Sequence, residues 1–198
     1  NKVSGRDSLL AAFFQSVTCR TAGFNSVDIG GMTNVSLFFM LLLMFVGGSP
    51  GSTAGGVKTT TMRTIAAFIV SQVKGRGQTV MNGRAVDRDT LNKALTLVVF
   101  GGCLVFVATL ILSVTEGKGV PHHLARGDML ELFFEVVSAF GTVGLSTGVT
   151  PTLSAPGKIL IMCLMFLGRL GPILFLSALV HWQERPRYEW PEDSVMIG

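Results

Sequence analysis

Charge is what this chain has least of. Only 14% of its 198 residues are Asp, Glu, Lys or Arg, against about a quarter in an ordinary soluble domain, while 48% are hydrophobic. That deficit argues against a solvated globule and points to lipid as the surrounding medium. The competing reading is a soluble protein with very hydrophobic core helices. Cysteine is scarce too. Cys19, Cys103 and Cys163 are odd in number, far apart and mostly in apolar surroundings, so they suggest neither a disulfide framework nor metal-ligand spacing. They read as buried, inert thiols. His122 and His123 follow Pro121 in a short loop, where solvated side chains are expected rather than ligands. The opening residues, NKVSGRDSLL, contain no initiator Met and no basic start followed by an apolar core. This does not read as a signal peptide, and the chain is expected to start partway through a longer protein. The basic cluster Lys74, Arg76, Arg84, Arg88 and Lys93 lacks interleaved aromatics or a recognition motif, so no nucleic acid is expected as a partner.

What the chain does have is long apolar runs. Ala94 to Val114 carries no charge, and Ile159 to Trp182 carries only Arg169. Each reaches the roughly 20 residues needed to cross a bilayer core. The basic cluster, opposed only by Asp87 and Asp89, marks 74–93 as a cytoplasmic loop by the positive-inside rule. Ala94–Val114 then runs outward and Ile159–Trp182 runs back, with Arg185 and Arg187 placing the C-terminus inside. Between them lies DMLELFFEVVSAF, helical in pattern but only about 20 Å long against a core near 30 Å. A re-entrant half-helix followed by GTVGLSTG fits that length.

The N-terminal part repeats this plan: SLLAAFFQSV, then TCRTAGFN, then VSLFFMLLLMFV. Shifting the chain by 121 positions pairs Thr21 with Thr142 and Gly23 with Gly144. The same shift pairs Met44, Phe45 and Gly47 with Met165, Phe166 and Gly168. Upstream, Phe13–Phe14 matches Phe133–Phe134 at 120, so one residue was gained or lost before the loop. We read this as an internal repeat.

The loops Thr21-Ala22-Gly23-Phe24 and Thr142-Val143-Gly144-Leu145 suit a potassium ion. An ion leaving water must exchange its hydration shell for oxygens of similar number and strength. Backbone carbonyls in an extended, glycine-containing loop supply them without net charge. The negative end of the preceding half-helix dipole also faces the cation. Such backbone is tolerated at membrane depth only where it lines a cavity or is covered by protein.

VSLFFMLLLMFV, at about 18 Å, is too short to cross by itself. It is followed by the loop Gly47, Gly48, Ser49, Pro50, Gly51, Ser52, Thr53, Ala54, Gly55, Gly56, after which apolar sequence resumes from Val57 to Val73. A Gly/Pro-interrupted hydrophobic segment points to a functional site in a transporter. We expect this loop to be mobile and to block the path below the filter. Arg169 stands where the sibling segment has Gly48; a cation near mid-bilayer is functional by default, and freed loop carbonyls are natural acceptors for it. Arg20, beside the first loop, would repel cations unless it is turned away or neutralised by Asp28 or Glu135; a structural salt bridge is expected rather than a direct transport role.

Two enzyme motifs overlap the same loop. Gly47–Gly51 satisfies G-x-S-x-G, but Pro50 has no N–H to offer an oxyanion hole. Gly51–Thr59 approaches a Walker A loop, but Val57 separates Gly56 from Lys58. Neither makes the chain an enzyme; a P-loop nucleotide-binding protein stays as a distant alternative.

QSVTCRTAGFNSVDIG, FVGGSPGSTAGGVKTTT and SAFGTVGLSTGVTP together resemble the third and fourth repeats of Trk/Ktr/HKT potassium transporters, the Ktr-type membrane subunit above all. The resemblance covers nearly the whole chain. It implies an all-α membrane protein of helix–re-entrant pore loop–helix repeats, two of four being visible and the first of these incomplete. On that plan, 1–73 is a partial third repeat, 74–93 the cytoplasmic loop, 94–182 the fourth repeat and 183–198 a cytoplasmic tail. The resemblance places filter carbonyls on Thr21, Ala22, Gly23 and Phe24 and on Thr142, Val143, Gly144 and Leu145, with potassium as substrate. It assigns gating to residues 47–56 with Arg169 in contact. It further implies a multi-pass protein of a prokaryotic cell membrane, a homodimer, a cytosolic nucleotide-binding regulatory ring, and sodium as a coupling or activating ion, with no covalent cofactor. The competing reading in another class is a truncated or non-conducting membrane fragment, since two quarters of a four-fold filter cannot close one.

Overall fold

The computed structural model describes residues 5–117 and 128–170. The expectations for His122 and His123, for the last span beyond Leu170 and for the tail 183–198 lie outside the described residues. The elements run α1 (Gly5–Thr18), α2 (Asn34–Phe45), α3 (Thr59–Val73), β1 (Val80–Met81), β2 (Arg84–Ala85), α4 (Arg88–Glu116), α5 (Asp128–Phe140) and α6 (Ala155–Leu170), with a 3-10 turn at Thr150–Thr152 before α6. Among the described residues, one helix, α4, is long and apolar enough to cross a bilayer.

The expected loop 74–93 is more structured than composition suggested. α4 begins at Arg88, because nothing in RDTLNK breaks a helix. Ahead of it, Val80 pairs with Ala85 and Met81 with Arg84 in an antiparallel hairpin. Its turn is Asn82–Gly83, both at positive φ (53° and 76°), as a two-residue hairpin turn requires. The Asn-Gly signal was there to be read. The hairpin rests on α3, where Arg63 donates to Asn82 Oδ1 (2.8 Å) and Ser71 Oγ accepts from Val80 N (3.4 Å).

The core is centred on α5, which is buried without interruption from Phe134 to Phe140 and packed by α2, α4 and α6. Phe140 is fully buried and stacks on Phe45 with ring centroids 5.9 Å apart. Gly168 allows α6 this close, since a Cβ there would overlap the Phe140 carbonyl oxygen. Phe140→Ala should therefore cost about 3–5 kcal/mol, seen as a clear fall in thermal stability of the detergent-purified protein. In contrast, α1 leaves Leu9, Leu10, Phe13 and Val17 exposed. Cys103 and Cys163 are also exposed, against expectation, and only Cys19 is buried. Apolar neighbours imply burial in water, but a helix apolar all round can equally turn its residues towards lipid.

The 121-residue offset extends into local structure. α2 starts at Asn34 and α6 at Ala155. Their N-caps match, with Ser36 N donating to Thr33 Oγ1 and Gly157 N to Ser154 Oγ, both at 3.3 Å. Ser154 is held in turn by Glu116, whose Oε2 accepts from Ser154 N at 3.0 Å, tying the end of α4 to the start of α6. The two helices then diverge. α2 stops at Phe45, whereas α6 continues past Phe166, the matching residue, to Leu170. Gly47, Gly48 and Pro50 explain the stop, being the weakest helix formers available.

Candidate functional site

The two loops begin where short helices end: α1 at Thr18 and α5 at Phe140. In both, the sign of φ alternates. Thr21 (69°) and Gly23 (70°) are positive in one, Thr142 (50°) and Gly144 (87°) in the other, and their neighbours are not. A β-branched residue at positive φ is an outlier, disfavoured by about 1–2 kcal/mol. Two such threonines at matched positions indicate a constraint held by the surroundings.

The N–H groups show what the strain achieves. Ala22 N and Gly23 N both donate to Thr18 O (3.2 and 3.3 Å), Val143 N donates to Ser138 O (2.9 Å), and Thr142 N to Ala139 O (3.0 Å). The amides thus turn back onto the helix ends. Among the described residues, no donor engages the carbonyls of Thr21, Ala22, Gly23, Thr142, Val143 or Gly144. The fourth position of each loop differs. Phe24 O accepts from Thr18 Oγ1 (3.0 Å) and Leu145 O from Ser138 Oγ (2.6 Å), so one lone pair of each is already taken. Thr18 and Ser138 match at the upstream offset of 120. The single extra residue therefore lies between Ser138 and Thr142, where the first loop has one fewer between Thr18 and Thr21.

The loops lie side by side. Thr21 Oγ1 donates to Gly141 O at 3.4 Å, and a Cβ on Gly23 would overlap the Val143 carbonyl oxygen. Directly against them packs the segment after α2. Gly55 N donates to Thr142 Oγ1 (3.1 Å), and Ala54, Gly55, Gly56 and Val57 are buried, whereas Ser49 to Thr53 form an exposed tip. A parallel bridge between Val46 and Val57 closes the base, with Gly47 N donating to Val57 O at 2.8 Å and Val57 N to Phe45 O at 3.1 Å.

The charged residues are arranged differently from expectation. Among the described residues Arg169 is exposed and has no hydrogen-bond partner; the loop carbonyls go instead to Lys58, whose Nζ donates to Ala54 O (2.5 Å) and Ser52 O (3.2 Å). Lys58 is one residue beyond the buried end of the loop, near enough to curl back, while Arg169 belongs to another helix. Sequence reasoning treated Lys58 only as a misplaced Walker lysine. The expected Arg20 salt bridge is likewise absent among the described residues. Arg20 is exposed, and the buried Glu135 accepts from the hydroxyls of Ser146 and Thr150. Thr18 and Ser138 were also missed; a hydroxyl three or four residues before each loop threonine was the available signal.

These features are those of an all-α membrane protein with two adjoining loops whose backbone carbonyls are left unengaged among the described residues. A family model described as TrkH, cation transport protein, matches residues 1–185, and the chain belongs to that family. It is 38% identical over 192 residues to the Ktr system potassium uptake protein B of Bacillus subtilis, covering 97% of this chain and 41% of that protein. It is 39% identical over 195 residues to the potassium/sodium uptake protein NtpJ of Enterococcus hirae, covering 97% and 42%. A Ktr system potassium uptake protein B from Vibrio alginolyticus is 37% identical over 189 residues, covering 96% and 39%. The chain thus spans about two fifths of the length of these relatives. The family consists of transport proteins rather than enzymes, and the nucleotide-binding alternative is not favoured. The Lys58 ammonium is occupied by carbonyls of its own loop, where a Walker lysine must face phosphate.

Proposed function

We propose that this chain contributes two adjoining sides of a potassium pore through which the complete protein takes up potassium across the cell membrane. The observation that carries the reading is the set of unengaged carbonyls on Thr21, Ala22 and Gly23 and on Thr142, Val143 and Gly144. Carbonyls without internal donors can together replace the hydration shell of a cation leaving water. Phe24 and Leu145 end the filter, their carbonyls braced by Thr18 and Ser138. The relatives named for potassium uptake support the substrate, and the one named for potassium and sodium uptake supports a role for sodium.

Residues 47–56 form the gate under the filter, with Lys58 holding the loop shut and Arg169 adding a positive barrier at the same level. The span α4 runs outward from a cytoplasmic 74–87 segment and α6 runs inward, leaving the C-terminus cytoplasmic. A homodimer with a cytosolic nucleotide-binding regulatory ring on the inner face fits this arrangement.

Rubidium uptake by the complete gene product, in a bacterial host lacking its own potassium uptake, tests the function. Uptake should exceed the empty-vector level, and none at a matched amount of membrane protein would leave the non-conducting reading. Lys58→Met tests the gate: with Ser52 O and Ala54 O released, uptake should be several-fold faster. An unchanged rate would remove Lys58 from the gate.

A further inference from the structure

The two pore helices brace their loops unequally. On α5, Glu135 lies one turn before Ser138, and both are buried. Ser138 Oγ grips Leu145 O at the end of the filter. Glu135 holds the chain that follows: Oε1 accepts from Ser146 Oγ and Oε2 from Thr150 Oγ1 at 2.7 Å. The two hydroxyls also meet each other at 2.9 Å, and Gly148 N donates to Ser146 Oγ at 2.9 Å. Five residues of exit chain are thereby folded around one carboxylate that belongs to the pore helix.

On α1 the hydroxyl brace is present and the second brace is not. Gln15 occupies the position of Glu135, and Asn25 and Ile29 stand where Ser146 and Thr150 stand. Gln15 is only 6% exposed, yet neither of its side-chain amide atoms has a partner among the described residues. Among the described residues, the same helix–loop plan therefore carries this second brace in one copy and not in the other.

We propose that Glu135 is a positioning residue for the filter: through Ser146 and Thr150 it fixes the outer end of the 142–145 loop and so sets the discrimination between potassium-sized and smaller cations. The inference rests on the filter reading above. A filter with one lone pair of Leu145 O fixed can hold its inner carbonyls at one spacing only if the chain beyond Leu145 cannot slide. Ser138 restrains the carbonyl, and Glu135 restrains the next residue. The role depends on the hydrogen-bond network and not on the charge. A glutamine here would accept from Ser146 with its Oε1 and donate to Thr150 with its Nε2, while Thr150 turned its hydroxyl to Ser146, leaving every group satisfied.

The test compares rubidium and sodium uptake by the complete gene product at matched membrane levels, in Glu135→Gln, Glu135→Ala, Thr150→Val and Gly144→Ala. Removing the carboxylate breaks the hydrogen bonds that hold Ser146 and Thr150, so Glu135→Ala should lower the rubidium-to-sodium ratio about tenfold. Thr150→Val, which keeps shape and removes one bond, should lower it less, and Glu135→Gln should leave it within about twofold. If Glu135→Gln loses as much as Glu135→Ala, the positioning role is overturned in favour of the charge. Where Glu135→Ala assembles poorly, Thr150→Val alone decides, and an unchanged ratio there overturns the proposal. If Gly144→Ala shifts the ratio while Glu135→Ala and Thr150→Val do not, the brace fails and the filter stands. If no variant shifts it, the filter reading itself fails.

Discussion

Gly23→Ala should lower rubidium uptake by the complete protein about a hundredfold, and Gly144→Ala only about tenfold. Both glycines have left-handed backbone, φ 70° and 87°, and an alanine there is disfavoured by about 1–2 kcal/mol. The difference lies in what the new methyl meets. At Gly23 the Cβ would overlap the Val143 carbonyl oxygen, one of the unengaged oxygens of the adjoining loop. At Gly144 the nearest atom is Gly23 Cα, 3.9 Å away, an ordinary contact. The first substitution therefore strains its own loop and displaces its neighbour, and the second only strains itself. Uptake and the rubidium-to-sodium ratio at matched expression read both effects. Equal losses in the two variants would show that the loops do not adjoin as described.

If residues 47–56 act as the proposed gate, Gly55→Ala should act in the opposite direction, raising uptake several-fold. Gly55 is buried against the 142–145 loop, and its Cβ would lie 2.7 Å from Thr142 Oγ1 and 3.0 Å from both Gly141 O and Gly168 O. Three oxygens at that range cannot all retreat, because they belong to the filter loop and to α6. The part with room to give is the loop itself, whose tip from Ser49 to Thr53 is exposed. Displacing it also breaks the bond from Gly55 N to Thr142 Oγ1, which works against the gain by about 1 kcal/mol. Gly51→Ala is the control: its backbone is left-handed (φ 83°), unlike that of Gly55, but a Cβ there has nothing within 4 Å, so it strains the loop tip and leaves the contact with Thr142 untouched. Lower uptake in Gly55→Ala than in Gly51→Ala would make the loop a prop for the filter and not a gate.

Much of the arrangement was legible in the sequence because membrane helices have to be long and apolar, and exceptions stand out. The uncharged run in α4, the short α2 with its Gly/Pro break and the brief α5 all follow from length against bilayer thickness. The 121-residue offset located the matched loops, and the helix starts at Asn34 and Ala155 with their Thr33 and Ser154 caps keep the same offset. The Asn82–Gly83 hairpin was legible and overlooked. What was not legible were the partners of the charged groups. Charge attraction favoured Asp28 or Glu135 for Arg20 and loop carbonyls for Arg169, yet Asp28 accepts from Gly30 N, Glu135 is taken by Ser146 and Thr150, and the carbonyls go to Lys58.

The sequence by itself determined the class of element at each point and the positions of the two loops, since helix length, apolar runs and glycine placement are local properties. Tertiary structure decided which carbonyls remain unengaged, that Gly23 touches Val143, and that Gly55 lies under Thr142. Those facts depend on the closeness of segments about 90 to 120 residues apart, with separations of 87 for Gly55–Thr142 and 120 for Thr21–Gly141. No local pattern encodes such distances; they are set by the packing of α2, α4 and α6 around α5.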